Sequence, residues 1–198
     1  LSLLIFISLS TSAQQSYIDY VSPYHPVVGK SGMVVSQNNL SSDIGVEILN
    51  KGGNAIDAAV AVGFSLAITL PRAGNLGGGG FMLVYLKEKN EIFYIDYRSK
   101  SPLNSSIDKI FDLDGKTIKP ENFTNDMFNK TRYGYKASAI PGTVAGLLEA
   151  HENFGKLPLE EVLAPAIRQA RNGIKVSYDL EKAIEDTHQL KKDPESLK

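Results

Sequence analysis

Leu70-Pro-Arg-Ala-Gly-Asn-Leu-Gly-Gly-Gly-Gly-Phe-Met-Leu-Val-Tyr85 and, after a polar turn, Ile92-Phe-Tyr-Ile-Asp-Tyr-Arg98 form the stretch on which the reading of this chain rests. Pro71 ends an apolar, helix-like run, because it has no N–H to donate and its ring crowds the preceding turn. Gly77 to Gly80 are four consecutive glycines. Without Cβ atoms they permit conformations and close backbone approaches closed to other residues. Phe81–Leu86 and Glu91–Arg98 are rich in aromatic and branched side chains, and Lys87-Glu-Lys-Asn90 joins them as the short loop of a hairpin. Arg98 falls where the second strand gives way to a Ser/Pro-containing turn, a common setting for a ligand-holding residue.

Upstream of this stretch, Ala55 to Leu70 carries only Asp57, Ser65 and Thr69 as polar side chains. A helix apolar on nearly all sides must be buried. Being short and closed by Pro71, it is a core helix and not a membrane span. Asn54 supplies its N-cap, and Asp57 suits its positive end. Before it, Ser41-Ser42-Asp43 offers N-cap chemistry for a helix through Val46, Ile48 and Leu49, closed by Gly52-Gly53. Met33-Val-Val-Ser36 reads as a short strand. Residues 14–32 are polar and contain Pro23, Pro26 and Gly29, an extended lead-in.

Downstream, residues 99–139 are rich in Asn, Ser, Asp, Lys and Thr, a long surface excursion with a helix expected at Thr124 to Asn129. Order resumes at Ile140-Pro-Gly-Thr143. Val144, Leu147, Leu148 and His151 share one helical face that ends near Gly155. Pro158 opens another helix, with Leu159, Val162, Leu163, Ala166, Ile167 and Ala170 at helical spacing, an expected kink at Pro165 and a cap at Gly173. Ile174-Lys-Val176 is extended, and Ser177 caps a final charged helix. His151 reads as a half-buried helix residue, with no carboxylate evident to orient it as a base.

The totals narrow the function. The chain has 198 residues with 21 Lys+Arg against 22 Asp+Glu, so no charge field argues for nucleic acid or an anionic membrane. The absence of Cys removes disulfides and thiolate chemistry, and His25, His151 and His188 are too scattered to suggest a metal cluster. Leu1 to Ala13 is an uncharged apolar run ending in small residues, the pattern of a secretory signal that has lost its Met and basic start. Both ends read as those of a fragment. Gly29-Lys30-Ser31 matches the tail of a phosphate-binding loop, but the first required Gly falls on Tyr24. The glycine run precedes a strand where a dinucleotide fingerprint would follow one. There is no Gly-x-Ser-x-Gly elbow.

Arg98 remains the leading candidate. Its guanidinium is a permanently charged fork that matches a carboxylate with two bonds. Asp96 shares its face on an ideal strand, and pattern alone favours a local Asp96–Arg98 ion pair that merely closes the sheet edge.

A resemblance changes that weighting. Lys51-Gly-Gly-Asn-Ala-Ile-Asp-Ala-Ala-Val-Ala61, Pro71 through Gly-Gly-Gly-Gly-Phe-Met82, Asp96-Tyr-Arg98, Pro141-Gly-Thr-Val-Ala-Gly146 and Pro165-Ala-Ile to Ala170-Arg-Asn-Gly173 occur here in order. Together they closely resemble the γ-glutamyltranspeptidases, or glutathione hydrolases, from about Pro26 to the C-terminus. The resemblance implies the N-terminal-nucleophile hydrolase fold, an α+β sandwich of four αββα layers of which residues 33–198 would form only part, the beginning of the large subunit. It implies a periplasmic or secreted precursor that cleaves itself. The new N-terminal Thr of its own small subunit, beyond this chain, would attack the γ-glutamyl amide. The acyl group of glutathione or another γ-glutamyl compound would pass to water, an amino acid or a dipeptide. The family's α-carboxylate clamp maps onto Arg98. No catalytic residue, metal or organic cofactor is implied within the chain, and by itself it is expected to be inert.

The family pattern continues Arg-Glu-x-Ala-Pro, whereas this chain has Arg98-Ser-Lys-Ser-Pro102. Ser99 supplies no negative charge, and Lys100 adds a positive one. That departure leaves room for altered handling of the substrate's amino group, or for a non-catalytic secreted relative that binds γ-glutamyl or amino-acid ligands. A related amidase acting on other acyl amides is a third reading, against which Arg98 argues. The Ala55–Leu70 helix, short of covering layers, is expected to make the isolated chain poorly soluble.

Overall fold

The computed structural model describes residues 28–108, 122–134 and 137–188. The expected signal segment and the lead-in up to residue 27 lie outside the described residues, as does part of the excursion. The chain divides into Leu1–Met33 and Val34–Lys198. In the first unit, residues 28–33 have no regular secondary structure. The second unit carries helix α1 (Asn39–Asn50), helix α2 (Ala55–Thr69), strands β1 (Phe81–Leu86) and β2 (Glu91–Asp96), then helices α3 (Asn125–Lys130), α4 (Thr143–Phe154), α5 (Leu159–Asn172) and α6 (Tyr178–Asp186).

Met33 to Ser36 is not a strand. A strand persists through bonds to a neighbour, and among the described residues the only sheet is the β1–β2 pair. Ser36 instead serves the start of α1: its Oγ donates to the Asn38 carbonyl at 2.7 Å and lies 2.9 Å from Ser42 Oγ. α1 also begins earlier than expected. Asn38 is the N-cap, its Oδ1 accepting the Leu40 N–H at 2.9 Å. Asn caps as well as Ser does, and the earlier start turns Ser41 inward.

α2 is the central element and is capped as its sequence indicates. Asn54 Oδ1 accepts the N–H groups of Ile56 and Asp57, and Asp57 Oδ2 accepts the Asn54 N–H, all at 2.9 Å. This reciprocal box satisfies donors that every helix start leaves open. α1, α4 and α5 pack around α2, and Val60, Ala61, Ile48, Ala150 and Val162 are fully enclosed between them. The expectation that α2 would be short of covering layers holds on one side only, where Ala55 and Ala59 are exposed and Gly63, Leu66 and Ala67 are half-buried.

The α1–α2–α5 junction also holds polar groups. Ser65 Oγ donates to Gln169 Oε1 at 2.7 Å. Its single proton is thereby used, so Ser41 donates to Ser65 over 2.7 Å, and Thr69 donates to Ser41 over 2.8 Å. The Thr69 hydroxyl also lies 3.3 Å from the Ser65 carbonyl, and the chain of hydroxyls holds the three helices in register.

β1 and β2 pair antiparallel from Phe81↔Asp96 to Leu86↔Glu91 around the loop Lys87–Asn90. Val84 and Ile95 face the core, and Phe93 packs on Phe154 of α4 with ring centroids 4.9 Å apart. The other face is apolar too: Phe81, Leu83, Tyr85, Ile92 and Tyr94 are all exposed. Alternation of apolar-in and polar-out, expected for a sheet with one wet face, is absent. Among the described residues, the outward face of the hairpin gathers five exposed large apolar side chains on two adjacent strands.

The later helices keep their expected caps. Thr124 caps α3, Gly155 ends α4, Pro158 opens α5, Gly173 ends it at φ 73°, and Ser177 caps α6. α5 runs through Pro165 without interruption.

Candidate functional site

β2 stops at Asp96, but the chain beyond it stays pinned. Tyr97 and Gly80 exchange backbone bonds of 3.1 and 3.3 Å, and Lys100 and Ile140 exchange bonds of 3.1 and 2.8 Å. The N–H groups of Gly142 and Thr143, at the start of α4, both donate to the Gly78 carbonyl, at 2.8 and 3.2 Å. Arg98 and Ser99 thus lie on a two-residue bridge anchored at both ends. The glycine run lies on one side and the entry to α4 on the other.

The glycines are required for closeness more than for conformation. None of Gly77 to Gly80 is among the positive-φ glycines. A Cβ on Gly79 would come within 2.6 Å of the Tyr97 carbonyl oxygen and 2.8 Å of the Arg98 carbonyl carbon. A Cβ on Gly142 would overlap the same Tyr97 carbonyl. Gly80 and Gly146 serve the Tyr97 side chain: a Cβ on Gly80 would press the ring at 2.8 Å, and one on Gly146 would overlap its base. Separations below 3 Å demand movement, so a side chain at Gly79 or Gly142 would displace the bridge backbone and one at Gly80 or Gly146 would displace the half-buried Tyr97 ring.

Arg98 itself is exposed. The local Asp96–Arg98 ion pair is not formed. Asp96 Oδ1 instead accepts the backbone N–H of Arg98 at 2.9 Å, a side-chain turn that satisfies an N–H facing away from β1. Among the described residues no ion pair involves the Arg98 guanidinium. It is a permanent charge on a fixed piece of backbone, equipped to hold a carboxylate. Ser99 is half-buried and Lys100 exposed. Burial pushes the Tyr97 phenol above its ordinary value of 10.0.

Comparison with known proteins bears on this arrangement. The family model of the γ-glutamyltranspeptidases matches residues 41–198. The chain belongs to the γ-glutamyltranspeptidase family. It is 44% identical over 154 residues to the glutathione hydrolase proenzyme of Escherichia coli strain K12, which covers 78% of this chain and 25% of that protein. It is 38% identical over 177 residues to the acylase ACY 1 proenzyme of Pseudomonas sp. strain V22, covering 89% of this chain and 31% of the relative. The crystal structure of Helicobacter pylori γ-glutamyltranspeptidase superposes with a TM-score of 0.76 at 36% identity, over 86% of this chain and 47% of the other. The chain spans about a quarter of the length of the curated glutathione hydrolases it matches, 24% and 25% for two of them. The fold is that of the N-terminal-nucleophile hydrolases, of which the described residues carry helices and one hairpin.

Within the family's motifs, the structure brings the glycine run, Tyr97-Arg98 and Pro141 to Gly146 to one place. It keeps Lys51 to Ala61 apart, in the α2 cap. There Asp57, fully buried, accepts the N–H groups of Lys156 at 3.0 Å and Leu157 at 3.3 Å besides that of Asn54. His151 does have a carboxylate near it, contrary to expectation, since its Nε2 lies 3.7 Å from Asp57 Oδ1. That nitrogen is 2.9 Å from the Leu157 carbonyl. A carbonyl only accepts, so Nε2 carries the proton and donates to it. Asp57 and His151 lock the α4–α5 turn onto α2. Tyr97 and Gly146 were not singled out from sequence. The Gly142-x-x-x-Gly146 spacing, which lays both glycines on one face of a helix start, is the signal that could have found them.

No group of three or more His, Asp or Glu among the described residues could hold a metal ion. Two clefts of about 320 and 310 Å³ lie elsewhere, one between α1 and α5 beside Glu47 and Arg168, the other beside Asn38, Arg72 and Ser177. Neither includes Arg98.

Proposed function

We propose that this chain is the Arg98-bearing part of a secreted or periplasmic enzyme that hydrolyses or transfers the γ-glutamyl group of glutathione and related amides. In this reading Arg98 receives the α-carboxylate of the γ-glutamyl group on two N–H donors. The nucleophile is the N-terminal Thr of a small subunit released by self-cleavage, outside these 198 residues. Its hydroxyl adds to the γ-carbonyl carbon while its own α-amino group takes the proton. That proton then passes to the departing amine as the C–N bond breaks. Water, an amino acid or a dipeptide next attacks the resulting ester and restores the hydroxyl. The observation that supports the reading is the exposed Arg98, in no ion pair among the described residues, on a backbone bridge built by the family's glycine motifs.

The test is kinetic, on the full-length protein with a γ-glutamyl anilide. Arg98→Ala removes a charge-assisted clamp of about 1.5–3 kcal/mol, so KM should rise by roughly tenfold to a hundredfold at that exchange rate. Arg98→Lys, which keeps the charge without the fork, should fall between the two. Turnover indifferent to Arg98 would refute the clamp.

The similarity to an acylase proenzyme, with Ser99 where the family pattern has Glu, favours a second reading, an amidase for other acyl groups. Such a substrate has no α-carboxylate, so its turnover would survive Arg98→Ala. Self-cleavage without turnover of either substrate would leave a ligand-binding relative.

A further inference from the structure

We infer that Tyr97 is a positioning residue for Arg98, seated in a socket made by Gly80, Gly142 and Gly146. This deepens the clamp reading and rests on it. Three glycines from two separate segments of the chain meet one residue. The ring passes so close to Gly80 and Gly146 that neither could carry a methyl group without shifting it, and the Tyr97 carbonyl leaves no room for one at Gly142. The ring therefore keys the end of β2 into the first turn of α4. The Tyr97 backbone is tied to Gly80 in both directions. Arg98 is the next residue. With Asp96 holding its N–H, its Cα has little freedom to shift unless the ring leaves the socket. A guanidinium that must meet a carboxylate with two bonds tolerates little displacement, since a misplacement of about 1 Å can cost about a hundredfold in rate. Tyr97 thus acts without touching substrate.

The test is a double-mutant cycle in the full-length protein, on a γ-glutamyl anilide and on the 4-aminobutanoyl anilide that lacks the α-carboxylate. Tyr97→Ala should lower kcat/KM on the first substrate by about tenfold to a hundredfold, mainly through KM. Gly146→Ala, which fills the socket from the other side, should act in the same direction. Tyr97→Phe keeps the ring and should stay close to the parent. Combined with Arg98→Ala, the Tyr97→Ala loss should disappear into the Arg98 loss, because both remove one interaction. On the 4-aminobutanoyl anilide Tyr97→Ala should change little. Independent, multiplying losses, or an equal loss on both substrates, would overturn the inference and leave Tyr97 as ordinary packing. If Arg98→Ala raises KM while Tyr97→Ala does not, the clamp stands and the positioning role falls. If Arg98→Ala leaves both substrates unaffected, both readings fall. Should Tyr97→Ala fail to fold, Tyr97→Leu half-fills the socket and carries the same cycle.

Discussion

Asp96 holds Arg98 by its backbone and leaves its charge alone: Oδ1 accepts the Arg98 N–H at 2.9 Å, and no ion pair joins the two side chains. The acceptor matters here and the negative charge does not. Asp96→Asn keeps an oxygen in place and should retain KM for a γ-glutamyl anilide. Asp96→Ala frees the N–H at a cost of about 0.5–1.5 kcal/mol, expected as a loss of a few-fold to about tenfold in kcat/KM. Equal losses in the two variants would show that the charge itself is used.

Glu47 ties α1 to α5. It lies 2.7 Å from Lys51 Nζ and 2.8 Å from an Arg168 guanidinium nitrogen. The Lys51 hydrogen bond above all holds its carboxyl below the ordinary value of 4.5, with burial opposing and Arg168 assisting. A depressed carboxylate contributes stability that is present above the unfolded value and is lost as pH falls through the folded one. Melting temperature should therefore drop more steeply on acidification below about pH 5 in the parent than in Glu47→Gln. Glu47 is a third exposed and Arg168 more than half, so the contribution at neutral pH should stay below about 1 kcal/mol. A parent and variant with the same pH slope would exclude this linkage.

What the sequence made legible follows the reach of each interaction. The Asn54–Asp57 box spans three residues, and the stops at Gly155 and Gly173 and the cap at Ser177 are equally local, so composition alone locates them. Arg98 was found at the end of β2 for the same reason. Its setting was not legible. Gly146 meets Tyr97 from a helix 49 residues on, and Asp57 reaches Lys156 across 99 residues. Neither separation leaves a periodic trace. Met33 to Ser36 misled because β-rich composition describes a residue's fitness for a strand and says nothing of a partner to bond. The glycine run misled in part: it was read for freedom of φ as well as for closeness, and closeness is what Gly79 and Gly80 supply.

Asp57 carries more of the fold than its place in a capping box suggests. It is wholly buried and accepts N–H groups from Asn54, Lys156 and Leu157. Bonds to a charged acceptor are worth about 1.5–3 kcal/mol each. Asp57→Asn turns one acceptor oxygen into a donor facing donors, and should destabilise by about 3 kcal/mol or more. A shifted urea midpoint with an unchanged slope would report it. His151→Phe, which removes the bond to the Leu157 carbonyl and the ring nitrogen 3.7 Å from Asp57, should cost about 1–3 kcal/mol by the same measurement. A larger loss for His151 than for Asp57 would invert the roles assigned to them.

The hairpin decides how the isolated chain behaves. Leu83 and Tyr94 are cross-strand partners on the outward face, 73% and 58% exposed, and Phe81 stacks on Tyr94 with centroids 6.1 Å apart. Apolar patches of this kind, above a few hundred Å², are uncommon on free surfaces and drive association. Among the described residues no third strand pairs with either edge of the hairpin, and such edges are open to pairing. The chain expressed alone should therefore self-associate through β1 and β2, whereas the uncovered side of α2, lined mostly by Ala and Gly, should contribute little. Leu83→Lys with Ile92→Thr should shift the sedimentation profile toward monomer, because a charge on an outward strand position opposes edge and face contacts alike. Ala59→Lys on the exposed side of α2 should leave the profile as it was. Monomer in the unaltered chain, or relief from the α2 change alone, would return the responsibility to the helix.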